Sequence, residues 1–408
     1  MASQIRAQSC KSASLRTWRR RDFFMFIGGL AVGALPIRTR AYAIGEEEPP
    51  IIVRYNSYIM NIDPISMQLR STYDAAARRL VIHDHNVHTV YTAIAGSLLA
   101  SGVRLNDNDP KYGVYSFATR TDVVPFIYDR VDLANDGMSR VRQGEDVALL
   151  SSTGGQLVAL GEYLHLGVPG DGMCAFSRDT DARRFGFVNE SGDVVIEPRL
   201  TLYHSAPFSD GRYLLHPDDP VIYMDRKGET VIEINDANGS IFSEGVARIS
   251  SANGDERRSW HINSSGLIAI GPHIGASGDF RDGFAPASDG WPGIFEIGNS
   301  YSPIIDDAGL VVLSEHRFGV IDRNGRFVVD PIWEEVGSPA SGMIAVRRGR
   351  KWGFVDVYSG HVIAPLYDDV GQFTGPIAPV TINSDILIID RQGRVVMRPE
   401  LAFGFRDQ

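Results

Sequence analysis

Three histidines, His83, His85 and His88, surround Asp84, and imidazole with carboxylate is a ligand set for zinc or a similar metal. On a strand, alternation sends His83 and His85 one way and His88 the other, and a turn over Asp84–Asn86 explains the same residues without metal. Oxygen-rich runs occur at Asn106-Asp107-Asn108-Asp109, at Asp132 with Asn135-Asp136-Gly137, and at Asn235-Asp236-Ala237-Asn238-Gly239. Such loops offer calcium ligands, but none has the spacing of the helix-flanked calcium loop with its terminal Glu. Asx-Gly turns produce the same composition. The expectation is therefore no cofactor and no metal, with calcium as the alternative. The carboxylate pairs Asp306-Asp307, Glu334-Glu335 and Asp368-Asp369 could serve glycoside hydrolysis. Two of the three follow an aromatic residue at the same point of a repeat, which argues for a structural role there. Asp306 and Asp307 do not. Together with Trp291 and Tyr301, in an irregular stretch, they make the candidate binding patch, against the alternative that the aromatics pack between units. There is no Gly-x-Ser-x-Gly elbow and no phosphate loop, so no catalytic residue is assigned.

The elements that must carry these residues repeat. Gly-Phe-Val-Asn189-Glu-Ser-Gly192 runs on to Pro198, Gly-Val-Ile-Asp322-Arg-Asn-Gly325 to Pro331, and Ile-Ile-Asp390-Arg-Gln-Gly393 to Pro399. Weaker copies turn at Gly154, Gly228, Gly266 and Gly360, and a compressed copy is expected near Gly298. Asp, Asn or Ser at the first position and Gly at the fourth mark a type I turn, with apolar alternation on either side making a hairpin. The Gly supplies the positive φ on which the second strand departs. The Pro beyond it, with no donor, is expected to end the ladder.

A second phrase follows each hairpin: Phe208-Ser-Asp-Gly211, Phe242-Ser-Glu-Gly245, Phe280-Arg-Asp-Gly283 and Phe373-Thr-Gly375. One unit is then about four short strands, in 33–38 residues between successive regular turns. The best-formed copy is Lys351-Trp352-Gly353-Phe354-Val355-Asp356, with Phe185-Gly186 and Phe318-Gly319 as variants. From Tyr112 to Pro399 the chain resembles the bacterial WG-repeat family. That resemblance implies a β-repeat architecture and says little about function. A four-stranded unit cannot bury its apolar face alone, so units must stack. The fold class is all-β, with eight or nine units arranged as a propeller or, alternatively, an open β-solenoid. The terminal Ile386–Pro399 reads as a half unit completing a blade begun upstream. Leu80–Tyr91 reads as a degenerate unit with its own turn, Ile51–Met60 as a strand, and Thr92–Val103 as a short helix.

Residues 1–43 read as a targeting segment. Basic residues precede an apolar run from Phe23 through Pro36, too short to span a bilayer, and Ala41-Tyr42-Ala43 fits a signal-peptidase site. Arg20-Arg21-Asp22-Phe23-Phe24 resembles a twin-arginine signal. An uncleaved membrane anchor is the competing reading. The expected layout is a signal peptide over 1–43, a linker over 44–50, an N-terminal region over 51–111 and the repeat array over 112–408. The whole chain carries a net charge of −10; residues 1–43 hold eight basic residues against one acidic, so the remainder stands at −17. Such a balance argues against nucleic acid and against anionic lipid as partners. Of two cysteines only Cys174 lies beyond the signal, so no intramolecular disulfide is open to the exported form.

The expectation is thus a periplasmic or secreted, non-enzymatic repeat protein binding a protein, peptide or envelope polymer. The alternative is a periplasmic hydrolase acting on glycans, with its site in the irregular stretch or the N-terminal region. Replacing Arg20-Arg21 with Lys-Lys should leave the precursor in the cytoplasm, as read by fractionation; normal export of that variant would overturn the twin-arginine reading.

Overall fold

The computed structural model describes residues 49–399, apart from 78, 83–87, 96–98, 107–108, 203–205, 252–257, 274, 291–303, 306–310 and 313–316. Those residues hold no helix. They form nine antiparallel meanders arranged in a ring, a β-propeller. Blade one spans 51–82, blade two 90–128, blade three 130–158, blade four 165–200, blade five 213–234, blade six 237–273, blade seven 277–333, blade eight 335–367 and blade nine 369–397. Seven blades show four strands in sequence order. Blade five shows three, and blade seven three plus a bridge from Ser277 to Ala287. Short first strands such as Glu335–Val336 and Asp369–Val370 lie inward, and last strands such as Val362–Tyr367 are the half-exposed outer edges.

The ring closes without a shared blade. Blade nine is built entirely from 369–397 and blade one entirely from 51–82. They meet face to face, with Val53, Tyr55, Met60 and Ile62 packed on Ile377, Ile386 and Ile388. Tyr55 donates to Asp369 Oδ2 at 2.8 Å and shares a 2.5 Å hydrogen bond with Thr381 Oγ1. Ile386–Pro399 is therefore the outer half of a complete blade, not a half unit awaiting partners from upstream. Ile51–Met60 is a hairpin, Ile51–Tyr55 pairing with Tyr58–Ile62. Leu80 and Tyr91 fall in different blades, so Leu80–Tyr91 is not one unit, and its expected turn at Asp84–Asn86 lies outside the described residues. The expected helix over Thr92–Val103 is two paired strands, Val90–Ala95 and Leu99–Asn106. Gly102 fits that pairing, since a Cβ there would lie 2.8 Å from Thr89 Cγ2. The expected copy near Gly298 lies outside the described residues. Blade seven departs after Ala285–Ser288, includes a small hairpin of Ile304–Ile305 with Val311–Val312, and resumes at Phe318–Ile321, which pairs directly with Ala285–Ser288.

The repeat turns follow from side-chain chemistry. Gly154, Gly192, Gly228, Gly266, Gly325, Gly360 and Gly393 all have φ between 70 and 84°. At the third of these hairpins from the end, Gly325 N–H donates to Asp322 O at 3.0 Å, while Asp322 Oδ1 accepts from Asn324 N–H at 2.8 Å and Arg326 N–H at 3.0 Å. The first-position carboxylate thus satisfies donors that the tight turn cannot pair through the backbone.

The Gly of the Trp-Gly pair has a different cause. Gly186, Gly319 and Gly353 sit where the outer strand bulges, and a Cβ at each would lie 2.2–2.3 Å from the carbonyl oxygen of Ile196, Val329 or Ile363. Pro198, Pro331 and Pro365 occupy the same bulges. Each outer strand continues beyond its Pro, to Leu200, Trp333 and Tyr367, so the Pro belongs to the bulge and does not end the ladder. A missing N–H costs little where pairing is already interrupted, on an edge strand.

Gly353→Ala should therefore cost about 3 kcal/mol or more, because backbone must move. Gly360→Ala, with open space around it and only φ +70° to resist, should cost about 1–2 kcal/mol. Urea unfolding of the two variants checks the order; equal losses would mean the bulge does not need its glycine.

Candidate functional site

One face of the ring carries the turns that join the first and second strands of each blade. In these turns an acid or Ser with positive φ precedes Gly: Asp171, Asp210, Glu244, Asp282 and Ser341 have φ of 51–54°. Their side chains reach across to the next blade. Gly172 N–H donates to Asp136 Oδ2 at 2.6 Å, Gly211 N–H to Asp171 Oδ2 at 2.5 Å, Gly245 N–H to Asp210 Oδ2 at 2.7 Å and Gly283 N–H to Glu244 Oε2 at 3.0 Å. Ser341 N–H donates to Asp282 Oδ2 at 2.7 Å, and Gly375 N–H to Ser341 Oγ at 2.9 Å. Six such bonds link blades three to nine in order.

Two further kinds of contact reinforce several of these steps. The Phe of the second phrase packs edge-on against a ring in the preceding blade: Phe208 on Phe187 at 5.2 Å, Phe242 on Tyr223 at 5.1 Å, and Phe373 on Phe354 at 4.8 Å. In the same role Phe280 meets the buried His261 at 4.9 Å, and His261 Nε2–H donates to Gly278 O at 3.0 Å. The Arg at the second position of the Asp-x-x-Gly hairpin also reaches the preceding blade. Arg323 donates to Glu244 Oε2 at 2.7 Å, and Arg391 to Ser341 O at 2.5 Å and Asp356 Oδ2 at 2.6 Å.

The opposite face uses the residues that follow the outer-strand aromatics. Asp129, Glu334 and Asp368 accept from Gly144 N–H at 2.8 Å, Gly349 N–H at 2.9 Å and Asn383 N–H at 2.8 Å in the next blade. Lys111, Arg347 and Lys351 pair with these carboxylates or their neighbours. Glu334, Asp368 and Asp369 are thus inter-blade joints while Glu335 pairs with Arg347 inside blade eight, and hydrogen bonding and the nearby cation hold Asp368 below the usual carboxylate range. Asp132 is occupied by Arg130 and Arg140, and Asp136 by Gly172. Cys174 is buried, and burial pushes its thiol up to about 12 despite the nearby Arg140, so it stays protonated.

Trp291, Tyr301, Asp306 and Asp307 lie outside the described residues, as do His83 and His85. His88 is described and exposed. Among the described residues no group of three metal-ligating side chains occurs. What the sequence did not single out is the outer rim. The outer strands of blades four to nine expose aliphatic or aromatic side chains just beyond the turn Gly: Val195, Val231, Ile268, Phe327 with Val328, Val362, and Val395 with Val396. A second set, Ile127, Ile332 and Leu366, stands one residue before the outer-strand aromatic at 43, 53 and 63% exposure. The visible signal was the apolar residue on the solvent side of an edge strand, recurring two or three positions after the turn Gly.

These features define a β-propeller, and three of its segments match a known repeat family. The family described as WG containing repeat matches residues 185–214, 318–352 and 352–384. No curated protein matches the chain. Among solved structures, similar folds include AztD from Citrobacter koseri, at 12% identity and TM-score 0.36 over 85% of this chain and 98% of that one. Hsv2 from Kluyveromyces lactis is similar at 10% and 0.32 over 59% and 89%, and the calcium-binding protein regucalcin from Agrobacterium tumefaciens at 10% and 0.22 over 51% and 84%. At these identities and scores the likenesses carry no functional conclusion.

The hairpin carboxylates give the ring an acid sensitivity. Burial opposes ionisation of Asp225, Asp322, Asp356 and Asp390, but backbone N–H bonds and adjacent cations outweigh it, leaving each below its ordinary value. Groups depressed on folding stabilise fully above the unfolded value and lose that contribution as pH falls through the folded one. Stability should therefore decline between about pH 5 and about pH 2. Asp322→Asn, which matches the Asn189 and Asn263 used elsewhere, should cost under about 1 kcal/mol at neutral pH and show a shallower acid decline. Denaturant midpoints across that range test it; an unchanged slope would deny Asp322 this role.

Proposed function

We propose that the chain is an exported, non-enzymatic repeat protein that binds a protein, peptide or envelope polymer across the surface of its ring. The observation that carries this reading is the periodic apolar rim on the outer strands of consecutive blades, because recurrent exposed apolar patches are what interaction surfaces present. Export rests on the twin-arginine-like segment and on the acidic balance of the rest of the chain. The described turn carboxylates support the same reading, since inter-blade hydrogen bonds already engage them.

The test is capture of partners from envelope extracts with the exported form. Val328→Lys, Ile332→Lys and Leu366→Lys together alter the rim of blades seven and eight at exposed sites, so stability should move by only about 0.5 kcal/mol for each. Partners retained by the wild type should be lost from this variant. Recovery of the same set by both proteins would overturn the rim as the binding surface.

A further inference from the structure

The chain of turn-to-turn hydrogen bonds ends at Gly375 in blade nine. Beyond it, where blade nine meets blades one and two, the packing opens into a cavity of about 400 Å³. That volume lies toward the low end of the about 300–1,000 Å³ typical of small-molecule sites. Its apolar wall is Pro50, Ile51 and Ile52 from the start of blade one and Ile94 from the first strand of blade two. One charged side chain lines it, Arg54.

The guanidinium of Arg54 is held at the cavity by the Thr92 carbonyl, which accepts from Nε at 3.1 Å and also from Nη2. Two of its five donors are thereby used and three remain. No carboxylate of the described residues pairs with it, whereas Arg140, Arg347 and Arg391 each engage an Asp or Glu. In a chain of net charge −10, an oriented guanidinium with no carboxylate partner among the described residues, set beside aliphatic walls, is a recognition element for one kind of ligand.

We propose that this cavity binds an aliphatic monocarboxylate, the chain lying against Ile51, Ile52 and Ile94 and the carboxylate on the free edge of Arg54. The site is separate from the rim and stands whether or not the rim binds a partner. Each half of the ligand has its own support. Aliphatic contact removes apolar surface from water, and the carboxylate supplies the planar pair of acceptors that a guanidinium edge fits.

Titration calorimetry with the whole chain tests it, using decanoate below its micelle concentration, with decan-1-ol and decyltrimethylammonium as matched controls. Decanoate should bind saturably, and the ammonium analogue at least about tenfold more weakly, since a hydrogen bond to a charged group carries about that factor. Arg54→Gln should weaken decanoate by a similar factor and leave decan-1-ol unchanged, while Arg54→Lys should retain part of the preference. Ala93→Phe, which fills the cavity from the blade-two side, should abolish binding of both at unchanged thermal stability. Absence of decanoate binding, equal affinity for decanoate and the ammonium analogue, or undiminished binding to a folded Ala93→Phe variant would overturn the proposal.

Discussion

The contact on which the ring depends is a hydrogen bond from a turn N–H in one blade to a side-chain oxygen in the turn of the blade before it. A single blade is a four-stranded meander with two apolar faces, and its own ladder does nothing to fix its angle to a neighbour. Face-to-face apolar packing is strong but non-directional. The Asp, Glu or Ser ahead of each turn Gly adds direction. Its positive φ turns the side chain outward, and an N–H in the next blade finds an acceptor that its own tight turn does not provide. Phe at the start of the same turn places a ring against the preceding blade, so apolar and polar contacts are set by one four-residue phrase.

Within each blade the organising constraint is the bulge in the outer strand. It brings carbonyl oxygens so close to the third strand that a Cβ at Gly186, Gly319 or Gly353 has no room. Bulges increase twist and interrupt pairing at a sheet edge. Here they also place a Pro on the exposed strand, which blunts it against pairing with another chain. The Trp-Gly signature and the Pro twelve residues later are thus two sides of one local geometry, although they look unrelated along the sequence.

The turns of blades three to nine were legible because Asp, Asn or Ser followed by Gly at the fourth position, or the fifth in blade eight, has a single local cause. Blades one and two were not legible in this way. In blade two the corresponding hairpin runs from Ser116 to Thr121 with Arg120 at φ 58° and no Gly, so the turn geometry persists without its usual residue. Thr92–Val103 misled through its Ala, Leu and Ser content, since propensity there is overridden by pairing on both sides of Leu99–Asn106. Complete blades at both ends were hidden as well, because closure rests on side-chain packing between Val53, Tyr55, Ile377 and Ile388, residues far apart in sequence. The carboxylate joints could have been found: an acid directly before Gly recurs at 171, 210, 244 and 282.

Blade seven shows what such a construction permits. Its excursion starts after Ser288 and returns before Phe318, and these two residues face each other across the ladder. Asp289 and Arg317 pinch the base, with Asp289 N–H donating to Arg317 O at 3.1 Å and Arg317 N–H to Asp289 Oδ1 at 2.9 Å. A loop whose ends are already joined adds only slowly to closure entropy as it lengthens. The contents of that excursion can therefore change in length while Ser288 and Phe318 stay paired. The same gate would accept a grafted peptide or a fused domain between Asp289 and Arg317.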